Sequence, residues 1–316
     1  MHNGSYSFKQ SEMENICNRF GIPFYNKAAA IIETYVNKWA LTSIELIPSY
    51  SSSLVFKCNA ARYGSAVFKI GNTAGQLLTE YKTLKQYIGG RFCQVYEVDL
   101  DDGVLLEECI IPGNALRDES SLEARLTVFC SLYKDLHEAP ASEELYPTYS
   151  RWVSRITEYM SRRQDCKVLY SYMKKAEVVC MDISSMYTRK MLLHGDFHHD
   201  NIRLGHGGEY KIIDPKGVIG DPVFDIPRFI LNEFEDALTI ELFHKINDTI
   251  AIIETKLSIP SNIIRKCLYV ETVMGACWSA EDGAGAEKYT ELIKHAAFAE
   301  ALMNNSEEMV SFSNPD

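Results

Sequence analysis

The chain has 316 residues, 46% of them hydrophobic and 24% charged, which is enough to bury a full core and long enough for two lobes rather than one. Its formal net charge of −11 argues against a nucleic-acid partner, whose phosphates are neutralised by Lys and Arg, and leaves a cationic partner or plain solubility as readings of the acidity. Nine scattered cysteines, odd in number and without a close Cys-x-x-Cys pair, read as reduced core residues.

The opening MHNGSYSFKQSEMEN lacks the basic end and apolar run of a secretion signal, and no run reaches membrane-spanning length; a cytoplasmic protein with no membrane partner is expected. Residues 27–39 place Ala28, Ile31, Ile32, Tyr35 and Trp39 at helical spacing, which predicts an amphipathic packing helix. Residues 44–47 lead into a Ser-rich stretch ending in Ser51, Ser52 and Ser53. Two β-type runs follow, 54–58 and 66–70, around a polar turn, and predict a hairpin. Lys69 lies in the second run among apolar neighbours, where a lone lysine points to solvent by default. Residues 74–88 then predict a helix that packs through Leu77, Tyr81, Leu84 and Ile88, and Glu80 falls on that same face. Burying a carboxylate unpaired is costly, so Lys69 is its expected partner. Residues 91–98 and 103–108 predict a second hairpin about Asp101-Asp102-Gly103, and Pro112-Gly113 marks a lobe boundary.

Beyond that boundary the pattern turns helical. Leu122, Leu126, Phe129, Leu132, Tyr133 and Leu136 recur at three and four, a further helix is expected from Arg151-Trp152, and residues 139–150 form the loop between them. Residues 191–217, MLLHGDFHHDNIRLGHGGEYKIIDPKG, crowd acids, an amide and histidines between two apolar runs. Residues 201–204 and 210–213 predict short strands joined by Gly205-His206-Gly207-Gly208, a hairpin whose open end brings Asn201 toward Asp214. An amide oxygen and a carboxylate suit Mg²⁺, which keeps several waters and needs only one or two protein oxygens. Asp196, five residues before Asn201, is expected to face the same place. Asp221-Pro222 reads as a helix start, with Asp as N-cap and Pro at the first helical position. Residues 263–279 predict a final helix with Ile264, Cys267, Leu268, Met274, Gly275 and Trp278 on one side and Glu271 among them. Glu281 and Asp282 follow at once. These acids beside an indole make a candidate site for a cationic substrate, against the plainer reading of a helix border and a solvated acidic cap. Residues 304–316 have the polar composition of a frayed tail.

The set His194-Gly195-Asp196, Asn201 and Asp214-Pro215-Lys216 resembles the catalytic and metal-binding loops of the protein-kinase-like fold. Its Gly195 and Pro215 make it similar to the antibiotic and small-molecule kinases, chiefly the aminoglycoside phosphotransferases. Within that family His198-His199, Ile213-Asp214-Pro215-Lys216, Gly220-Asp221-Pro222 with Asp225, and Trp278-Ser279-Ala280-Glu281-Asp282-Gly283 are most similar to the streptomycin/hydroxyurea phosphotransferase branch. Asp200 stands where that pattern has Gly, and Gly217 where it often has Pro.

The resemblance implies an α+β, protein-kinase-like two-lobed fold. Residues 1–111 would be an N-terminal nucleotide-binding lobe, an antiparallel sheet with a helix, and residues 112–316 a mostly helical C-terminal catalytic and substrate-binding lobe. It implies Asp196 as catalytic base, Asn201 and Asp214 as Mg²⁺ ligands, and Lys69 with Glu80 on the phosphates of ATP or GTP. By the same resemblance Ser51, Ser52 and Ser53 form the loop over the phosphates, and Glu107 through Cys109 the hinge that reads the base. Asp225 braces the catalytic loop, and Glu271, Trp278, Glu281 and Asp282 form the substrate side. The implied reaction moves the γ-phosphate of ATP to a hydroxyl of a small, cationic molecule such as an aminoglycoside, giving antibiotic resistance. The alternatives are a kinase of a choline, homoserine or sugar-type metabolite, and a nucleotide-binding pseudokinase, against which the complete set Lys69, Glu80, Asp196, Asn201 and Asp214 argues. A two-metal phosphoesterase, suggested by Gly195-Asp196, His198, His199 and Gly220-Asp221, lacks the early Asp-x-His and the Gly-Asn-His segment it would need.

Overall fold

Two helices precede the first strand, α1 (Gln10–Phe20) and α2 (Ile22–Lys38), the second starting with Pro in its first turn, where a missing N–H costs nothing. The computed structural model describes residues 6–307 except 51, 73, 88, 235 and 236, and of residues 74, 76 and 286 no side chain is described. Strands β1 (Leu41–Ile47), β2 (Ser53–Ala60) and β3 (Gly64–Gly71) follow, then α3 (Ala74–Gln86), β4 (Val95–Asp99) and β5 (Val104–Glu108). They form one antiparallel sheet in the order β1-β2-β3-β5-β4. The predicted hairpins are both present, and Gly103 supplies the positive φ of +71° that the turn before β5 requires.

Side chains alternate along these strands, and the two faces have different work. Leu54, Phe56, Cys58, Ala66, Phe68, Ile70, Val104 and Leu106 point to one face, where they form a core with Ile16 of α1 and Ala28, Ile32 and Tyr35 of α2. The other face carries Val55, Lys57, Val67, Lys69 and Glu107, which line a cavity. Helix α3 packs on β3, β4 and β5, with Leu77 and Leu84 buried.

The rest of the chain is mostly helical: α4 (Leu122–Lys134), α5 (Tyr149–Arg162), α6 (Lys167–Met186), α7 (Pro227–Glu233), α8 (Ile240–Leu257), α9 (Ser261–Glu281) and α10 (Ala286–Asn304). Between α6 and α7 lie four short strands: β6 (Met191–Leu193), β7 (Ile202–Leu204), β8 (Tyr210–Ile212) and β9 (Val218–Gly220). β6 pairs with β9 and β7 with β8. Helix α9 packs against α5, α6, α7, α8 and α10. Its buried residues run around much of its circumference, as a helix enclosed by others requires. Asp221 is the predicted N-cap, its side chain accepting from Val223 N at 3.3 Å, but the turn it starts, Pro222–Asp225, is 3-10 and leads into α7.

The chain divides into two compact units, Met1–Asn114 with Arg203–Lys216, and Ala115–Ile202 with Gly217–Asp316. The sequence reading counts residues 203–216 with the second lobe; the structure groups them with the first. The reason is hydrogen bonding that no local pattern reports. Leu204 exchanges bonds of 2.9 and 2.8 Å with Gly113 and Asn114, and Ile212 exchanges bonds of 2.8 and 2.9 Å with Arg91 and Cys93. All nine cysteines are unpaired thiols, seven of them buried. Among the described residues no helix is long and apolar enough to cross a membrane.

Candidate active site

In the first unit, the alternation of β3 places Lys69 on the cavity face while Phe68 and Ile70 enter the core. The lysine is 3% exposed and its Nζ is shared by three carboxylates: Glu80 of α3 at 2.5 Å, Glu107 of β5 at 2.8 Å, and Asp214. Burial works against the ammonium, yet Asp214, Glu107 and Glu80 outweigh it and hold the Lys69 pKa well above its ordinary value. Burial, with Glu80 and Asp214 adding to it, pushes the Glu107 carboxyl well above the usual carboxylate range against the pull of Lys69. Glu107 Oε1 is buried without a hydrogen-bond partner among the described residues. Ligand oxygens of Glu80, Glu107 and Asp214 lie within 4.8 Å of one another, a spacing that could hold a metal, but the lysine already occupies their centre.

This corrects the reading of Glu107 as part of the hinge. Its backbone is paired in the sheet with Val67 on one side and Val95 on the other, and its side chain turns inward to Lys69. The segment beyond β5, from Cys109 to Gly113, lines the cavity of about 580 Å³ that also takes in Ile47, Pro48 and Ser49. Ser52 and Ser53 stand at the start of β2, with the Ser52 carbonyl accepting from Asn72 N at 3.2 Å, and neither lines the cavity; Ser51 lies outside the described residues. Asp214 follows β8 in the left-handed region, φ +57°, which a non-glycine residue enters only when its surroundings enforce it. Its side chain is 38% exposed, so it can reach both the lysine and solvent.

In the second unit, the loop after β6 is organised by Asp225, whose two oxygens accept the amides of His194 and Gly195, each at 2.7 Å. Gly195 has φ +78°, so successive amides can turn onto one carboxylate. The loop then closes on itself: Asp196 N donates to His194 Nδ1 at 3.1 Å, and Asn201 Nδ2 donates to the Asp196 carbonyl at 2.9 Å, a bond that does not use the Asn201 amide oxygen. His198 Nε2 lies 3.6 Å from Asp196 Oδ1. Burial pushes the His198 pKa down to about 4, against the pull of Asp196 and Asp200, so the ring is neutral near pH 7. His199 is a buried brace, its Nε2 2.6 Å from Glu233 and its ring stacked on Phe229.

The acids expected on the substrate side are already spoken for. Glu271, 3% exposed, pairs through Oε1 with Arg228 Nε at 2.7 Å and accepts from Tyr149 Oη. Glu281 holds Arg155 in a two-pronged pair at 2.6 and 2.8 Å. Trp278 packs edge-on to Trp152, ring centroids 5.8 Å apart, and Arg228 stands over its ring at 5.8 Å. Asp282 caps α9 at the surface. Sequence reasoning places Glu271 on the right helix face but misses Arg228, whose only signal is its position three residues after Asp225 in a short helix. It also misses Arg117, which neutralises the extra charge of Asp200 through bonds of 3.1 and 3.0 Å.

Solved structures share this fold. A choline kinase from Streptococcus pneumoniae is 15% identical, covering 89% of this chain and 99% of its own, with a TM-score of 0.62. A thermostable mutant of an aminoglycoside phosphotransferase, in ternary complex with ADP and hygromycin B, is 13% identical, covering 90% of this chain and 98% of its own, with a TM-score of 0.59. The fold is therefore the protein-kinase-like α+β fold of the small-molecule kinases. A family model described as aminoglycoside/hydroxyurea antibiotic resistance kinase matches residues 38–283; the chain belongs to that family and is a phosphotransferase acting on hydroxyl groups. The streptomycin 6-kinase of Streptomyces glaucescens is 20% identical over 270 residues, which are 81% of this chain and 84% of that protein.

Proposed function

We propose that the chain transfers the γ-phosphoryl group of ATP, bound with Mg²⁺, to a hydroxyl of a small aminoglycoside-type acceptor, streptomycin first, and so confers resistance. The observation that carries this reading is the lysine at the cavity wall, buried and held between Glu80 and Asp214. A lysine so fixed is preorganised for phosphate oxygens, and a partly exposed Asp214 can exchange the lysine for a metal ion. The chemistry of each expected ligand suits a hard cation, a carboxylate at Asp214 and an amide oxygen at Asn201, with no sulfur or imidazole needed. Mg²⁺ so held would neutralise charge developing on the phosphates. Asp196 orients the acceptor hydroxyl and takes its proton as the new O–P bond forms and ADP leaves.

A cationic acceptor is supported by the net charge of −11 and by the streptomycin 6-kinase relative. Glu271 and Glu281 add no support, since each already has an arginine. The nine unpaired cysteines support work in a reducing compartment such as the cytoplasm.

The test is mass spectrometry of acceptors incubated with the protein, Mg²⁺ and either ATP or GTP: streptomycin, hydroxyurea and choline in parallel. One added phosphate on streptomycin is expected, with turnover down about 10²–10⁴-fold in Asp196→Asn. Asp214→Ala should abolish Mg²⁺-dependent nucleotide binding by calorimetry. Phosphorylation of choline alone would remove the acceptor class, and an Asp196→Asn enzyme of wild-type speed would remove the mechanism.

A further inference from the structure

Within the second unit a series of polar side chains, buried at its inner end, leads out to Asp196. Arg228 of α7 stands between two carboxylates, its Nε 2.7 Å from Glu271 Oε1 on α9 and 3.6 Å from Asp196 Oδ1. Behind it, Glu271 accepts from Tyr149 Oη on α5. Glu271 and Tyr149 are 3% and 2% exposed, so neither offers its polar atoms to a solute. An ion pair taken out of water is seldom worth more than the apolar packing that could replace it. Three helices therefore contribute to an arrangement that folding does not require, and its outer end touches the carboxylate proposed to act.

From this geometry we infer that Arg228 is a positioning residue, which fixes the Asp196 carboxylate for the acceptor hydroxyl, and that Glu271 and Tyr149 act through it by setting where its guanidinium stands. The inference rests on the phosphotransferase reading, in which Asp196 is the reacting group. The unequal distances are what make the arrangement useful. A guanidinium in close two-pronged contact would occupy both oxygens of Asp196 and spend its basic lone pairs. Held back by the shorter contact to Glu271, Arg228 steers Asp196 from 3.6 Å without locking it. His198 Nε2 approaches the same Oδ1 at 3.6 Å, so cation and ring both face the carboxylate along one edge. The Trp278 ring under the guanidinium limits its swing.

The test is a coupling cycle on kcat. Arg228→Met and Glu271→Gln are made in the wild-type chain, together and each with Asp196→Asn, and assayed with streptomycin and, in parallel, with water as acceptor by Mg²⁺·ATP hydrolysis. Arg228→Met is expected to lower kcat about 10–100-fold with the KM for ATP kept within about twofold, since misplacement of a reacting group by about an ångström costs that much. Glu271→Gln should lower kcat less and add nothing to Arg228→Met. In the Asp196→Asn background neither should cost more than about twofold, because the group they position is gone. Losses that multiply in the double variants, or an Arg228→Met enzyme as fast as wild type, overturn the inference. If Arg228→Met does not fold, Tyr149→Phe, which deletes one hydroxyl, is put through the same cycle. A loss that vanishes beside Asp196→Asn supports the inference, and a persisting loss or none overturns it. If streptomycin gains no phosphate the acceptor assignment falls, and the cycle is read on ATP hydrolysis, so the two readings fail separately.

Discussion

The carboxylate of Asp225 accepts the backbone amide of Gly195 at 2.7 Å, and its other oxygen takes the next amide back along the chain, that of His194. His137 Nε2 supplies a third contact at 3.0 Å, and the side chain is 1% exposed. Asp225→Asn keeps the size but turns one acceptor into a donor that faces an amide. We expect a stability loss of about 2–3 kcal/mol in urea melts and a fall in kcat of about 100-fold, because the loop bearing Asp196 loses its anchor. An Asn variant that melts and turns over like wild type would show that the loop holds its shape unaided.

Lys69→Met leaves Glu80, Glu107 and Asp214 crowded together without their shared cation. Nucleotide affinity should fall by at least about 100-fold, and stability by about 3–5 kcal/mol, the cost of breaking a buried pair from one side. That deficit should shrink as the buffer is made more acidic, since acids that lose a cation take up protons instead. Paired urea melts near neutrality and in mild acid read both effects; an equal deficit at the two pH values counts against the charge argument.

His198 gives a pH dependence of the opposite sense. Its folded pKa is pushed down from 6.5 to about 4, chiefly by burial, so the unfolded chain takes up a proton on acidification before the folded one does. Stability from this group is present above pH 6.5 and is lost as pH falls toward 4. His198→Gln cannot titrate, so its stability curve should be flatter over that window by about 2–3 kcal/mol. Parallel slopes for the two proteins would exclude His198 as the titrating group.

Glu281 is paired to Arg155 at the surface, 26% and 49% exposed respectively. Glu281→Gln should change the acceptor KM by less than about twofold and stability by less than about 1 kcal/mol. A tenfold rise in acceptor KM would mean that the acid leaves its arginine for the substrate.

Both large hairpins, α2 and α3 are legible in the sequence because each has one apolar face, and a face is a periodic signal; α9 is legible because its apolar residues recur along its whole length. Helix α1 is hidden, since Ile16 is its one buried residue. The Lys69–Glu80 pair is legible as the answer to a carboxylate on a packing face. Its further partners are not: Asp214 lies 145 residues from Lys69, and Glu107 looks from sequence like the end of a strand leading into a connector. The acids of α9 mislead for a related reason. Periodicity tells which side of a helix a carboxylate occupies, but Arg228 and Arg155, which satisfy those carboxylates, come from other helices.

The alternation along β3 also ties heredity to chemistry. Phe68 and Lys69 are neighbours that serve opposite sides of one sheet, so a slip of a single residue would put the ammonium into hydrocarbon and a phenyl ring into the cavity. Loss or gain of one codon inside this strand would therefore forfeit the core and the cavity lysine in one event.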